Sequence, residues 1–451
     1  GKGLAGKKTE PLVGNTGDAM ESQNVYTKQQ RIAELAGQTP RFRMVSLNQH
    51  LDMDWMREAY RQTRKSGAPG VDGITAAEYE RNLEANLADL LERAKSGRYQ
   101  APPVRRVYIP KGRNEKRPLG IPTLEDKILQ RAVVMLLQPV YEQDFKDCSH
   151  GFRPERSPHT ALEVLWKRMM EMGGCWLIDA DIQKFFDTLS KARMREILNQ
   201  RVGDGVVRRL VSKWLHAGVL EAGAITYPES GTPQGGVISP LLSNIYLHEV
   251  LDVWFEQDIK PRLKGKAFLI RFADDFVMGF ERQDDARRVL EVLAKRFDKY
   301  GLAIHPAKTR LISFYPPERQ VGKRNSFDFV GFTHYWDVSR KGRNFVRRAT
   351  RSSRLTRALR NVREYCRETW AKPTREQWKG LSARMRGHYG FYGITGNARA
   401  LSRYSYVVGR IWWQSLNRRS GHKAKGWDWF NRRIRLKYPL PPARVVHSVY
   451  A

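Results

Sequence analysis

Residues 267–280 read AFLIRFADDFVMGF, two apolar arms joined by Asp274-Asp275. The arms predict a strand hairpin that carries two acids between them. An Asp-Asp is ordinarily a turn or a helix cap, and the chain supplies its own comparison. Asp284-Asp285, in ERQDDARR, sits among polar residues at a helix start, where carboxylates complement the dipole. That pair reads as structural. Asp274-Asp275 lies between apolar arms, where solvent-turn residues are not obviously needed.

Upstream, CWLIDAD (175–181) is an apolar run ending in acid. Residues two apart on a strand share a face, so Asp179 and Asp181 point the same way and only one need be a ligand. Phosphoryl transfer from a nucleotide needs divalent ions roughly 3.5–4 Å apart, clamped by acids. Mg²⁺ takes few protein carboxylates beyond substrate phosphates. Asp181 with Asp274-Asp275 meets that requirement from rigid strand ends. A helix is predicted over Gln283–Tyr300. Strands, hairpins and helices mix without regular βαβ alternation, which predicts an α+β fold.

Further out, VRRVYIPKGRNEKRPLGIP (104–122) reads as a hairpin with a basic tip, Lys111 and Arg117 bracketing it. A helix follows from Leu124 to about Tyr141. GTPQGGVISP (231–240) is a small-residue loop in which Gly235-Gly236 admits close backbone approach and Gln234 offers an amide. Neither G-x-x-x-x-G-K-[ST] nor G-x-G-x-x-G is present there, which weakens ATPase and dinucleotide readings. Helices are predicted over Lys28–Leu35, over Asp54–Lys65 with Asp54 as cap, and over Ala76–Lys95.

The 451 residues carry 80 Lys+Arg against 47 Asp+Glu, a net charge of +33. Such a surplus points to nucleic acid as partner and fits a small-molecule enzyme poorly. From Lys341 to Ala451 there are 27 Lys+Arg against 4 Asp+Glu, with six of the 12 Trp. Arg351, Arg354, Arg357, Arg360, Arg363 and Arg367 recur at helical spacing, while Leu355, Leu359, Val362 and Cys366 fill another face. One face is expected to pack and the other to meet phosphate. Conspicuous aromatics such as Tyr389, Tyr392 and Trp412-Trp413 are expected to be mostly core. Cys148, Cys175 and Cys366 stand far apart without C-x-x-C, so they read as buried small hydrophobes in a reducing cytosol. No apolar run approaches the roughly 18 residues of a membrane span.

In this order, IPKGRNEKRPLGIP, HGFRPERSPHTAL, LIDADIQKFFDTL, GTPQGGVISPLLSNIYL, RFADDFV, GLAIHPAKT and FDFVGF resemble the reverse transcriptase–maturases encoded by group II introns. The resemblance implies a right-hand polymerase of fingers, palm and thumb, followed by an α-helical, RNA-binding maturase region. The expected division is a flexible basic tail over 1–27 and an N-terminal extension with the start of the fingers over 28–100. Fingers and palm follow over 101–335, and a basic thumb and maturase over 336–451. By the same resemblance Asp181, Asp274 and Asp275 are the catalytic acids, and with Ile182 they hold Mg²⁺, for which Mn²⁺ could substitute. Phe186 matches the steric gate against a 2′-OH, Gln234 and Gly235 the nucleotide pocket, and Lys111 and Arg117 the fingers over the triphosphate. Lys308 matches a lysine near the leaving pyrophosphate. Arg351 to Arg367 are expected on nucleic acid.

The implied activity is RNA-directed DNA synthesis on intron RNA during retrohoming, with help to splicing. Implied partners are intron RNA, an RNA template with DNA primer, dNTPs and a DNA target, with no membrane and a bacterial cytosolic or nucleoid location. Two departures matter. Phe272 stands where the family usually has Tyr before Ala-Asp-Asp, and no cysteine pairs follow Cys366, as in endonuclease-lacking, class C-like lineages. The alternatives are a splicing-only maturase and a domesticated host reverse transcriptase used in repair or defence.

Overall fold

The computed structural model describes residues 16–39, 42–110, 116–228, 230–231, 235–319, 325–418 and 425–448, with side chains from residue 22 onward. The chain divides into two compact units. One comprises Gly1–Pro154, Ile182–Pro261 and Glu291–His305; the other comprises Glu155–Asp181, Arg262–Leu290 and Pro306–Ala451. Elements mix helix and antiparallel strand, as an α+β fold requires, and the chain closes on helices. No helix among the described residues is long and apolar enough to cross a membrane.

The second unit is built on a four-stranded antiparallel sheet, in the order Ala267–Phe272, Asp275–Phe280, Cys175–Ala180, Arg310–Phe314. The two hairpin arms are buried along most of their length instead of alternately. That is why they read as unbroken apolar runs. Helix Pro158–Met172 covers the sheet with Leu162, Leu165 and Met169, which share a core with Leu177, Ile270, Val277 and Phe314. Its start is fixed by Ser157, whose hydroxyl accepts from Thr160 N, and by proline in the first turn; Gly173 ends it at φ 60°.

A second sheet joins Ser326–Phe329, Phe332–Val338 and Asn344–Thr350, and sends Phe327, Trp336 and Val346 into the same core. A boundary at 335/336 therefore falls inside a strand. Helices Ser352–Glu368, Thr374–Tyr392 and Ala398–Asn417 then close around Val362, Leu381, Met385, Tyr389, Tyr404, Val408 and Trp412. Tyr389 and Trp412 are core as expected, Tyr404 joins them, and Tyr392 and Trp413 pack half-buried against the same cluster.

The first unit surrounds the deeply buried helix Leu124–Asp144, with strands ordered Lys116–Ile121, Val104–Pro110, Val219–Glu221, Ala224–Thr226. Three local readings change here. Residues 16–27, expected as tail, belong to helix Thr16–Gln38. That helix buries Val25, Ile32 and Ala36, and Lys28 Nζ donates to Asp52 at 2.5 Å. Its apolar stripe is one thin line of small and medium residues, too sparse to stand out beside the polar ones. The cap of the next helix, Met53–Gln62, is Asp52, which accepts from Trp55 N at 3.0 Å; Asp54 lies in the first turn. The helix expected over Ala76–Lys95 breaks into Ala76–Glu80 and Leu83–Ser96, because Asn82 adopts a non-helical conformation. All three cysteines are free and buried.

Candidate active site

The hairpin turn that carries the acids is tight. Pairing runs to Phe272↔Asp275, leaving Ala273-Asp274 as the turn, with Ala273 at φ 57°. Beneath it lies Arg271, fully buried, whose Nη1 donates to Ala273 O at 2.9 Å. A buried guanidinium is tolerated only where its hydrogen bonds are met, so Arg271 ties the turn to the sheet. Sequence reasoning missed it, although one Arg inside an apolar strand is a visible signal.

Register brings the third acid alongside. Pairing of Cys175–Ala180 with Asp275–Phe280 ends at Ala180↔Phe276, so one step further sets Asp181 level with Asp275. On its other side the strand pairs Asp179 with Arg310, and two residues on, Asp181 is level with Lys308. Side chains follow that register. Arg310 Nη2 is 2.7 Å from Asp179 Oδ2, and Lys308 Nζ is 2.5 Å from Asp181 Oδ2. Asp179 is thus committed to a strand neighbour, which leaves Asp181 as the acid at the open strand end.

Like charges crowd this point. Loss of solvent, then the charges of Asp274 and Asp181, push the Asp275 carboxyl up to about 6, with Arg354 opposing. Because Asp275 keeps an exposed side chain, the neighbouring acids carry the argument more than burial does. Asp179 is raised by burial, opposed by Arg310 and reinforced by Asp328 and Asp181. Among the described residues no three His, Cys, Asp or Glu side chains converge on one metal position. The donor chemistry still fits a hard cation: three carboxylates at adjacent strand ends, with a cation, Lys308, seated on one of them. Ile182 is buried and bridges Ile304.

The first unit holds the other expected residues. Gly231, at φ 83°, donates to Leu189 O at 2.9 Å, and a Cβ there would lie 2.6 Å from Phe186 O. Gly235, at φ 113°, would place a Cβ 2.4 Å from Gly120 O. The small-residue loop is therefore pressed against the Phe186 segment at one end and against strand Lys116–Ile121 at the other. A cavity of about 270 Å³ opens there, lined among others by Arg106, Gly120, Phe186, Asp187 and Ser230. Phe185 is core and Phe186 is half-buried in the cavity wall, so tertiary packing separates the two rings. Arg117 lies exposed on strand Lys116–Ile121, opposite Ile109. Lys111 and Gln234 lie outside the described residues.

Behind the loop runs a buried polar chain that sequence reasoning did not find. Gln130 Oε1 accepts from Ile238 N at 3.1 Å, while its Nε2 donates to Asp126 at 3.0 Å. Asp126 Oδ1 also accepts from Tyr99 Oη at 2.5 Å and Trp214 Nε1 at 2.6 Å. Burial pushes the Asp126 carboxyl up to about 6, against those hydrogen bonds and Lys127. An Asp and a Gln four apart on an otherwise apolar helix face were the available signal.

Helix Ser352–Glu368 buries Leu355, Val362 and Cys366, so one face packs as expected. Steps of three residues turn about 300° on a helix, so each arginine slips back by about 60°. Arg354 and Arg363 therefore lie on opposite flanks of the packed face, and the guanidiniums fan across the rest of the helix surface, exposed except for half-buried Arg360. Arg351 Nε pairs with Asp328 at 3.0 Å, and Arg354 acts electrostatically on Asp275.

A mixed antiparallel fold with paired acids on a hairpin and a third at the next strand end belongs with nucleotidyl-transfer chemistry. Residues 109–334 match the family described as reverse transcriptase (RNA-dependent DNA polymerase), half of the chain, and the chain belongs to that family. It is 40% identical over 247 residues to protein YkfC of Escherichia coli, covering 53% of this chain and 64% of that protein. It is 42% identical over 250 residues to the group II intron-encoded protein LtrA of Lactococcus lactis, covering 53% of this chain and 41% of LtrA. A match at 24% identity to an uncharacterised 91 kDa protein in a cob intron of Schizosaccharomyces pombe covers 71% of this chain and 47% of that protein. The matched stretches thus span less than two thirds of these relatives.

Proposed function

We propose that the chain is an RNA-directed DNA polymerase of the group II intron-encoded kind. In this reading the four-stranded sheet is the palm, the basic hairpin belongs to the fingers, and the C-terminal helices are thumb and maturase. The observation that carries it is the register that sets Asp181 level with Asp275 beside Asp274, in a chain of the reverse transcriptase family.

The reaction joins a primer 3′-oxygen to the α-phosphorus of a dNTP, breaks the α–β phosphoanhydride and releases pyrophosphate. Asp181, Asp274 and Asp275, with Ile182, would hold Mg²⁺, and the ion would supply Lewis-acid stabilisation of the developing charge. Asp274 and Asp275 are held by a turn that Arg271 secures, so their position does not have to be organised during reaction. By the family resemblance Phe186 crowds a 2′-OH and Gly235 admits close approach of the backbone to the nucleotide. By the same resemblance Lys111 and Arg117 grip the triphosphate, Gln234 lines the nucleotide pocket and Lys308 neutralises the departing pyrophosphate.

The net charge of +23 over residues 341–451 supports binding of template and intron RNA by the C-terminal helices, Arg351 to Arg367 included. Similarity to LtrA, a group II intron-encoded protein, supports the intron setting, and with it a role in copying intron RNA for retrohoming and in splicing. The test is primer extension on an RNA template with dNTPs and Mg²⁺, wild type beside Asp274→Ala. Extension by the wild type alone supports the reading. Extension by neither, with RNA still bound, moves the chain to a splicing-only role.

A further inference from the structure

The C-terminal helices carry a groove of about 600 Å³. Cys366 and Ile411, both buried, form its floor. Arg363 and Arg367, one turn apart on helix Ser352–Glu368, form one wall, and Arg418, just past helix Ala398–Asn417, stands on the other. Trp370 closes the groove with its side chain 56% exposed. Among the described residues none of the three guanidiniums is paired with a carboxylate, although arginines elsewhere in the chain find acids readily.

Three uncompensated guanidiniums around one concavity repel one another, which costs stability unless an anion joins them. A large exposed indole at the same place is a second unpartnered feature, and its flat face suits a planar ring. Phosphate and an unstacked base satisfy both features together, whereas a duplex offers its backbone alone. We propose that this groove takes one unpaired nucleotide of a bound RNA strand, its base stacked on Trp370 and its phosphate held by Arg363, Arg367 and Arg418. The proposal rests on the reading of the C-terminal helices as RNA-binding and names a site within them.

The test uses the full chain and fluorescent single-stranded RNA dodecamers, one with normal bases and one with abasic positions, beside a DNA dodecamer of the same sequence. Trp370→Ala should weaken the normal RNA about tenfold or more, leave the abasic RNA unchanged and be restored by Trp370→Phe. Arg418→Ala should lower the salt slope by about 0.7 for the phosphate contact removed, on both RNA probes. Equal loss on normal and abasic RNA, or loss confined to DNA, overturns the proposal. If the wild type binds RNA and both variants match it, this site alone fails. If the wild type binds no RNA, the RNA-binding reading fails and the site with it. Trp370 and Arg418 are exposed, and an unchanged thermal midpoint shows that any loss does not come from unfolding.

Discussion

Lys308 and Asp181 meet one step beyond the sheet, Nζ 2.5 Å from Oδ2, in the register that also sets Arg310 2.7 Å from Asp179. Two cation–acid pairs thus follow one another along adjacent strands. The inner pair is spoken for, while the outer one stands at the open end beside Asp274 and Asp275.

The outer pair is a weak structural bond. Lys308 is 56% exposed and Asp181 29%, and pairs so open to water contribute less than about 1 kcal/mol. Lys308→Ala is therefore expected to leave the denaturation midpoint almost unmoved while slowing single-turnover extension by about 100-fold or more. A variant that loses stability yet extends normally would make Lys308 a strut.

Gly235 is required twice, by its φ of 113° and by the approach of Gly120 O. The conformation alone costs a side chain about 1–3 kcal/mol. Gly235→Ala should raise KM for dNTPs and lower kcat. Gly223→Ala is the control, because Gly223 has φ 85° with nothing within 4 Å. It should lose only the conformational part of the stability and keep its KM. A matching KM rise in both would trace the effect to general strain.

Phe186 lines its cavity half-buried, while Phe185 fills the core. Phe186→Val should admit ribonucleotides, reducing discrimination by about 10- to 200-fold with dNTP kcat/KM nearly kept. Competition between dCTP and CTP on one template position reads the ratio directly. Unchanged discrimination with a lower melting point would return Phe186 to simple packing.

Asp126 gives a pH signature of folding. Its carboxyl rises from 3.8 to about 6 in the folded protein. A raised acid holds its proton longer when folded, so its contribution is full below pH 3.8, falls as pH climbs to about 6, and is flat above. The span corresponds to roughly 3 kcal/mol at most. Urea midpoints of wild type and Asp126→Asn between pH 4 and 7 should diverge through that window and run parallel above it. Parallel curves throughout would mean that Tyr99, Trp214 and Gln130 keep the carboxylate ionised.

Local sequence was enough for the strands that hold the three acids. Apolar runs bounded by turn residues located the hairpin 267–280 and the strand ending at Asp181. Contrast with ERQDDARR told one acid pair from the other: Asp285 is buried, accepting from Lys264 N and Gly265 N, as a structural acid should. The packed face of helix Ser352–Glu368, with Leu355, Val362 and Cys366, was also legible, since it follows from 3.6 residues per turn. What local pattern could not reach were pairings across long stretches of chain. Asp181 meets Lys308 across 127 residues, Gln130 reaches Ile238 across 108, and Asp126 and Trp214 across 88. Such contacts depend on strand register and on which faces helices bury, properties of the whole fold that no window of neighbouring residues contains. The same holds for Phe185 and Phe186, identical in type and adjacent in sequence, one sent to the core and the other to the cavity wall by the packing around them.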